Sequence, residues 1–168
     1  EITFVPPNMR LYMRFSKLAR EIYGQYSDQI ESFGLDENWI DVTNSTKAFG
    51  SGLEIAEKIS SQIKFELGIT VSIGVSWNKI FAKLGSDYKK PDAITLISRE
   101  NYKDIAWKLP VGDLLYVGSA TKRKLQKMGI LSIGQLANTE PVYLQSALGK
   151  MGLILYMFAN GYDQTPVA

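Results

Sequence analysis

Thr70-Val-Ser-Ile-Gly-Val75 runs directly into Ser76-Trp-Asn-Lys-Ile-Phe-Ala-Lys-Leu84, and the change of period between the two halves decides the fold. β-Branched residues crowd the first half, the composition of a short buried strand. In the second half Ile80, Phe81 and Leu84 recur at helical spacing, which predicts a helix from Trp77 to Tyr88. Beyond Lys90-Pro91, Ile94 to Ile97 reads as another strand. On the N-terminal side, Leu53, Ala56, Ile59, Ile63 and Leu67 form one stripe of a helix over 50–67, with Gly68 as its stop. A further helix over 9–26 carries Tyr12, Phe15, Leu18, Ala19, Ile22 and Tyr26 on one face. Between these helices lie two strand-like runs, 30–35 and 38–43, separated only by Asp36-Glu37, so a tight hairpin is expected. Glu1 to Val5 is also strand-like and ends at Pro6-Pro7; with no Met before it, the chain reads as an excised piece. The order helix, hairpin, helix, strand, helix, strand is that of an α+β sheet with helices on one face. After Ser98 the strand pattern ceases. Ser98 before Arg99-Glu100 marks a helix start, and Pro110, Gly118, Gly129 and Gly149 punctuate short helices. The expected division is therefore an α+β part, 1–98, and a helical part, 99–168.

Composition narrows the chemistry. The 168 residues contain no cysteine and no histidine. That excludes disulfides, thiolate metal sites, cysteine nucleophiles and imidazole bases or ligands. Apolar runs such as Leu153 to Ala159 are far short of a membrane span, and no signal-peptide pattern opens the chain, so a cytoplasmic protein without membrane contact is expected. A net charge of +2 is too balanced to announce a polyanion partner, but the charges are segregated. Residues 26–43 hold Asp28, Glu31, Asp36, Glu37 and Asp41 with no Lys or Arg. Lys79, Lys83, Lys89 and Lys90 face a single Asp87 in 77–90, and Lys122, Arg123, Lys124 and Lys127 stand without an acid in 119–128. One acidic and two basic loci suit a site that holds cations and handles a polyanion.

Three segments can carry that chemistry. In Phe33-Gly-Leu-Asp-Glu-Asn-Trp39, adjacent carboxylates at a strand junction offer several hard oxygen ligands in a small volume, as magnesium requires. Neighbours on a regular strand point to opposite faces, so Asp36 and Glu37 share a site only where the hairpin departs from regularity; otherwise the pair is a solvated acidic turn. In Asn78-Lys-Ile-Phe-Ala-Lys83 to Lys89-Lys-Pro-Asp92, Lys90 stands where the chain must leave the helix, either as a point charge for a phosphate or as part of an exposed basic face. Leu114-Leu-Tyr-Val-Gly-Ser-Ala-Thr-Lys-Arg-Lys-Leu125, followed by Met128 to Leu136, has the form of a helix-hairpin-helix module. There a loop and the next helix's N-terminus aim backbone N–H groups at a phosphate, with Gly118, Thr121, Lys122 and Lys124 at hand; an ordinary pair of packed helices is the alternative. Ser132 with Gln135 forms a capping box.

Taken in order, these segments resemble the Y-family (translesion) DNA polymerases, the DinB/UmuC/ImpB group. Gly34-Leu-Asp-Glu-Asn-Trp-Ile-Asp41 is similar to the family's Ser-Ile-Asp-Glu-Ala-Tyr-Leu-Asp stretch, and Ser72-Ile-Gly-Val-Ser-Trp-Asn-Lys-Ile-Phe-Ala-Lys83 with Lys90-Pro91 to its next landmark. Val117 to Leu125 is similar to the thumb's helix-hairpin-helix, and Gly161-Tyr-Asp-Gln-Thr-Pro-Val167 to the passage out of the thumb. The resemblance implies a partial palm over 1–98, an antiparallel-containing sheet with helices on one face, and a small all-α thumb over 99–168. It implies an enzyme that adds dNTPs to a primer 3′-end opposite damaged template. Asp36 and Glu37 would be two of three carboxylates holding a pair of Mg2+ ions; one ion would lower the pKa of the primer hydroxyl and the other grip the triphosphate. Lys90 would contact the triphosphate, and the hairpin around Gly118 a DNA phosphate. Primer-template DNA and dNTP are the expected partners, with a sliding clamp reached through segments outside this chain.

The departures are specific. No aspartate here matches the family's third carboxylate on an earlier strand, and the fingers and little finger have no counterpart. Gly34 replaces the usual Ser, Asn38 the usual Ala, and Tyr116 a usual Gly. These substitutions motivate a second reading, a non-catalytic DNA-binding relative. A palm-fold nucleotide cyclase explains neither the Asn78 to Pro91 match nor the basic helical hairpin. The 168 residues alone are expected to be inactive.

Overall fold

The computed structural model describes residues Ile2 to Ala168. By compactness they divide into two units, one reaching to Val71 and including Val167 and Ala168, the other running from Ser72 to Pro166.

In the first unit α1 (Met9–Tyr23) starts where the Asn8 side chain accepts from Leu11 N at 3.1 Å, and it ends at Gly24. A hairpin of β1 (Ile30–Phe33) and β2 (Glu37–Ile40) follows, then a one-turn helix α2 (Thr46–Phe49) and the longer α3 (Gly52–Leu67). α3 opens on a capping box between Ser51 and Glu54 and closes at Gly68, whose φ of 66° suits glycine. α1 packs on α3, burying Ala19, Ile22 and Tyr23 beside Ile55, Ala56, Ile59 and Ile63. Each buried isoleucine contributes roughly 1.5–3 kcal/mol over exposure.

The second unit begins with β3 (Ile73–Val75), crosses over through α4 (Lys79–Tyr88) and returns as β4 (Ile94–Leu96), parallel to β3. The helix lies close on the strand because glycines meet there. A Cβ on Gly74 would fall 1.8 Å from Ala82 O, and one on Gly85 3.1 Å from Gly74 Cα. Helices α5 (Tyr102–Ile105), α6 (Ser119–Lys127), α7 (Ile133–Ala137), α8 (Pro141–Leu148) and α9 (Lys150–Ala159) complete the unit, with 3-10 turns at Ala106–Lys108 and Val111–Asp113. One hydrophobic core joins Ile80, Phe81, Leu84 and Ile97 to Leu114, Leu125, Ile133, Leu136, Leu144 and Leu155. Asn78 ties the ends together: its Oδ1 accepts from Phe81 N at 2.8 Å and its Nδ2 donates to Gly161 O at 2.9 Å.

Several local expectations shift. The strands form two separate two-stranded sheets, β1-β2 antiparallel and β3-β4 parallel, one in each unit. Of the strand expected over 1–5, Glu1 lies outside the described residues, and residues 2–8 are exposed and belong to no strand. The helix expected at Ser98 begins at Tyr102, because the Ser98 and Asn101 side chains bond Glu100 N and Ser98 N and hold a turn instead. The division expected at residue 98 follows the end of the strand pattern, whereas compactness keeps Ser72 to Ile97 with the helices after them.

Candidate functional site

The acidic hairpin belongs to the first unit. Phe33 pairs with Glu37, so the loop is the three residues Gly34-Leu-Asp36 rather than the expected Asp36-Glu37, and Glu37 already opens β2. Gly34 takes φ 83°, a conformation that strains any residue with a Cβ, which accounts for glycine at this position. Asp36, exposed in the turn, is free of strand alternation; the alternation rule applies from Glu37 onward. Paired residues share a face, so Glu37 stands with Phe33, Glu31 and Trp39, the Phe33 and Trp39 rings 5.0 Å apart. Asn38 belongs to the other face. There its Oδ1 accepts from Ser32 Oγ at 2.9 Å, and Ser32 Oγ accepts from Arg20 of α1 at 3.2 Å. The Ser16 hydroxyl of α1 donates to Leu35 O, fixing the turn from the same helix.

The carboxylates of Asp36 and Glu37 are the hard oxygen donors that suit magnesium. Among the described residues no cluster of three or more acidic side chains could hold a metal. The pair has the donor chemistry of a magnesium ligand set but is not a complete centre.

Lys90 belongs to the second unit, just past the end of α4. Lys89 caps the helix in extended conformation and the Lys90–Pro91 peptide is cis. The Lys90 ammonium pairs with Asp87 Oδ1 at 2.7 Å, while Asp87 Oδ2 pairs with Lys83. Partial burial pushes the Asp87 carboxyl upward, but the hydrogen bonds and charges of Lys83 and Lys90 outweigh it and hold the group below its ordinary value. The sequence places these lysines on one basic surface; the Asp87 link is readable there only as i, i+3 and i, i+4 spacing.

The third locus is the start of α6, also in the second unit. Gly118 is its N-cap, no side chain caps it, and no acidic residue stands in its first turn. Gly118, Ser119 and Ala120 are exposed, as are Lys122, Arg123 and Lys124; Thr121 is half-buried. The Lys122 stem lies over Gly112, where a Cβ would come within 2.7 Å of it. Before the hairpin, the element expected as a helix is the single 3-10 turn at Val111–Asp113. Tyr116 occupies φ 69°, the left-handed conformation a glycine would take, with its ring 6.0 Å from Phe158.

Residues 1–87 match the family model "impB/mucB/samB family", and residues 112–163 match "DNA polymerase-iota, thumb domain". DNA polymerase IV of Acetivibrio thermocellus is 56% identical over 167 residues, 99% of this chain and 42% of that protein. DNA polymerase IV of Lactococcus lactis is 41% identical, covering 98% of this chain and 45% of the relative. The crystal structure of DinB from Sulfolobus solfataricus superposes with a TM-score of 0.87 at 30% identity, over 98% of this chain and 49% of that one. An insertion ternary complex of Dbh DNA polymerase gives the same TM-score and identity over 98% of this chain and 48% of the other. The chain thus spans less than half the length of these relatives. With one family model on the acidic hairpin and the β3–α4 unit, and a polymerase thumb model on the α6 hairpin, the chain belongs to the impB/mucB/samB family of Y-family DNA polymerases.

Proposed function

We propose that this chain is the palm (1–98) and thumb (99–168) of a template-directed DNA polymerase that extends a primer 3′-end with dNTPs, including opposite damaged template. The observation that carries this reading is the acidic pair Asp36-Glu37 where the turn enters β2, inside the segment matched by the family model. Asp36 and Glu37 contribute carboxylate ligands to a magnesium site whose remaining donor comes from outside the described residues. Bound magnesium supplies charge neutralisation for phosphates and acidifies a coordinated hydroxyl. Lys90 offers a point charge to the triphosphate. Gly118 and the start of α6, with Thr121, Lys122 and Lys124, hold a DNA backbone phosphate without reading sequence.

The replacements that motivate a non-catalytic relative have local accounts. Gly34 suits a turn at φ 83°, and Asn38 is engaged with Ser32 on the face away from Glu37. Both readings are separated by one experiment in the whole polymerase carrying this sequence. Asp36→Asn abolishes primer extension while thermal stability and DNA affinity stay near wild type. Extension at the wild-type rate removes Asp36 from the mechanism; no extension by the wild-type protein favours the DNA-binding relative.

A further inference from the structure

Asp87 divides its two oxygens between two lysines of different exposure. Oδ2 pairs with Lys83, whose side chain is 17% exposed, and Oδ1 with Lys90, 57% exposed. The first pair lies within α4, one turn apart, while the second reaches across its end. A residue beyond the helix is thereby tied to the helix's last turn through a carboxylate that is itself anchored from below. Two cations share one anion through its two separate oxygens. Because one oxygen of the carboxylate is already held by Lys83, the other orients Lys90 from a fixed position. A lysine side chain gives up rotamer freedom when it is fixed, and fixing it beforehand spares that loss when an anion arrives.

We propose that Asp87 is a positioning residue, holding the Lys90 ammonium ready for the phosphates of an incoming nucleoside triphosphate. The inference rests on the reading of Lys90 as a triphosphate contact and extends it to the residue that places it. The dependence on Lys83 follows from the same geometry, because Lys83 fixes the carboxylate.

The test is steady-state incorporation of a dNTP on a primed template by the whole polymerase carrying this sequence. Asp87→Asn raises KM for the dNTP roughly fivefold and leaves kcat within about twofold. Asp87→Glu, which keeps the charge, restores most of the loss. In a Lys90→Ala background Asp87→Asn adds nothing further, because the two act as one unit. Asp104→Asn, which removes a carboxylate from the exposed Lys108–Asp104 pair, leaves KM unchanged. Should Asp87→Asn fail to fold, Lys83→Gln serves in its place, with KM raised about twofold; an unchanged KM there overturns the inference. If Lys90→Ala raises KM while Asp87→Asn does not, or if their effects add, the positioning role fails and the Lys90 contact stands. If Lys90→Ala itself leaves KM unchanged, both fall. A loss in Asp87→Asn of thermal stability and kcat together, not restored by Asp87→Glu, assigns Asp87 to structure alone.

Discussion

At Gly118 the backbone is extended, with φ −72° and ψ 174°, and a Cβ built there meets nothing within 4 Å. Neither conformation nor packing inside the protein demands glycine, and the open space leaves room for a ligand to approach the backbone there. Gly118→Ala therefore folds normally and gains about 0.4–1 kcal/mol by restricting the unfolded chain, yet binds duplex DNA more weakly. Lys122→Ala with Lys124→Ala lowers affinity evenly across sequences and flattens the salt dependence by about one unit of log–log slope for each phosphate no longer neutralised. Fluorescence anisotropy over a salt series reads both effects. Unchanged affinity in Gly118→Ala, or an unchanged slope in the lysine variant, returns the hairpin to ordinary helix packing. Tyr116 poses the opposite case: it holds a left-handed φ of 69° without being glycine, with its ring 6.0 Å from Phe158.

Among the elements, α3 shows how a helix is written into a sequence and how pH acts on it. Glu54 accepts from Ser51 N at 2.7 Å and from Ser51 Oγ at 2.8 Å, and Ser51 Oγ accepts from Glu54 N at 3.3 Å. The bond from the Ser51 backbone, then that from its hydroxyl, holds the Glu54 carboxyl below its ordinary value. A depressed folded-state pKa means the carboxylate form stabilises the fold. That contribution is fully present above the ordinary glutamate range and is lost as pH falls through the lower folded value. Glu54→Gln therefore reduces stability at neutral pH and converges on wild type in acid, whereas Ser51→Ala costs about 1 kcal/mol by removing the cap as well. Denaturant melts at several pH values check this; a Glu54→Gln deficit that persists below the folded pKa excludes the capping box as its source. α3 is legible in the sequence because its stripe and its Gly68 stop are local signals. The hairpin is legible as a hairpin, but its loop is not, since Gly34 turning at φ 83° is fixed by the pairing of Phe33 with Glu37, which no local pattern states. The start of α5 is hidden at Ser98 because a serine that caps a helix and one that closes a turn look alike until the Asn101 side chain engages Ser98 N. The acidic doublet, the lysine before proline and the basic start of α6 are all visible as residue types in order. The Asp87 link between Lys83 and Lys90 is not, since spacing allows many pairs and rotamers select few.

The hydrophobic core of the second unit decides which of its pieces can stand alone. Phe81, Leu84 and Ile97 are buried in the same cluster as Leu125, Ile133, Leu136 and Leu155, so a fragment starting at residue 99 exposes the faces those residues cover. A fragment of 72–166 accordingly unfolds cooperatively on heating, whereas 99–168 does not; a sharp transition in the shorter piece would show that its helices need no support from α4. The same reasoning about what is present applies to catalysis. Asp36 and Glu37 lie together in sequence at the hairpin, and among the described residues no group of three or more acids could hold a metal. Two carboxylates give magnesium a foothold but not the paired-ion geometry that nucleotidyl transfer needs. The 168-residue chain, supplied with magnesium, dNTPs and a primed template, therefore extends no primer, while it still retards the same DNA through the α6 hairpin. Extension on a sequencing gel would place a third ligand within this chain, and absence of retardation would leave the hairpin without its assigned phosphate.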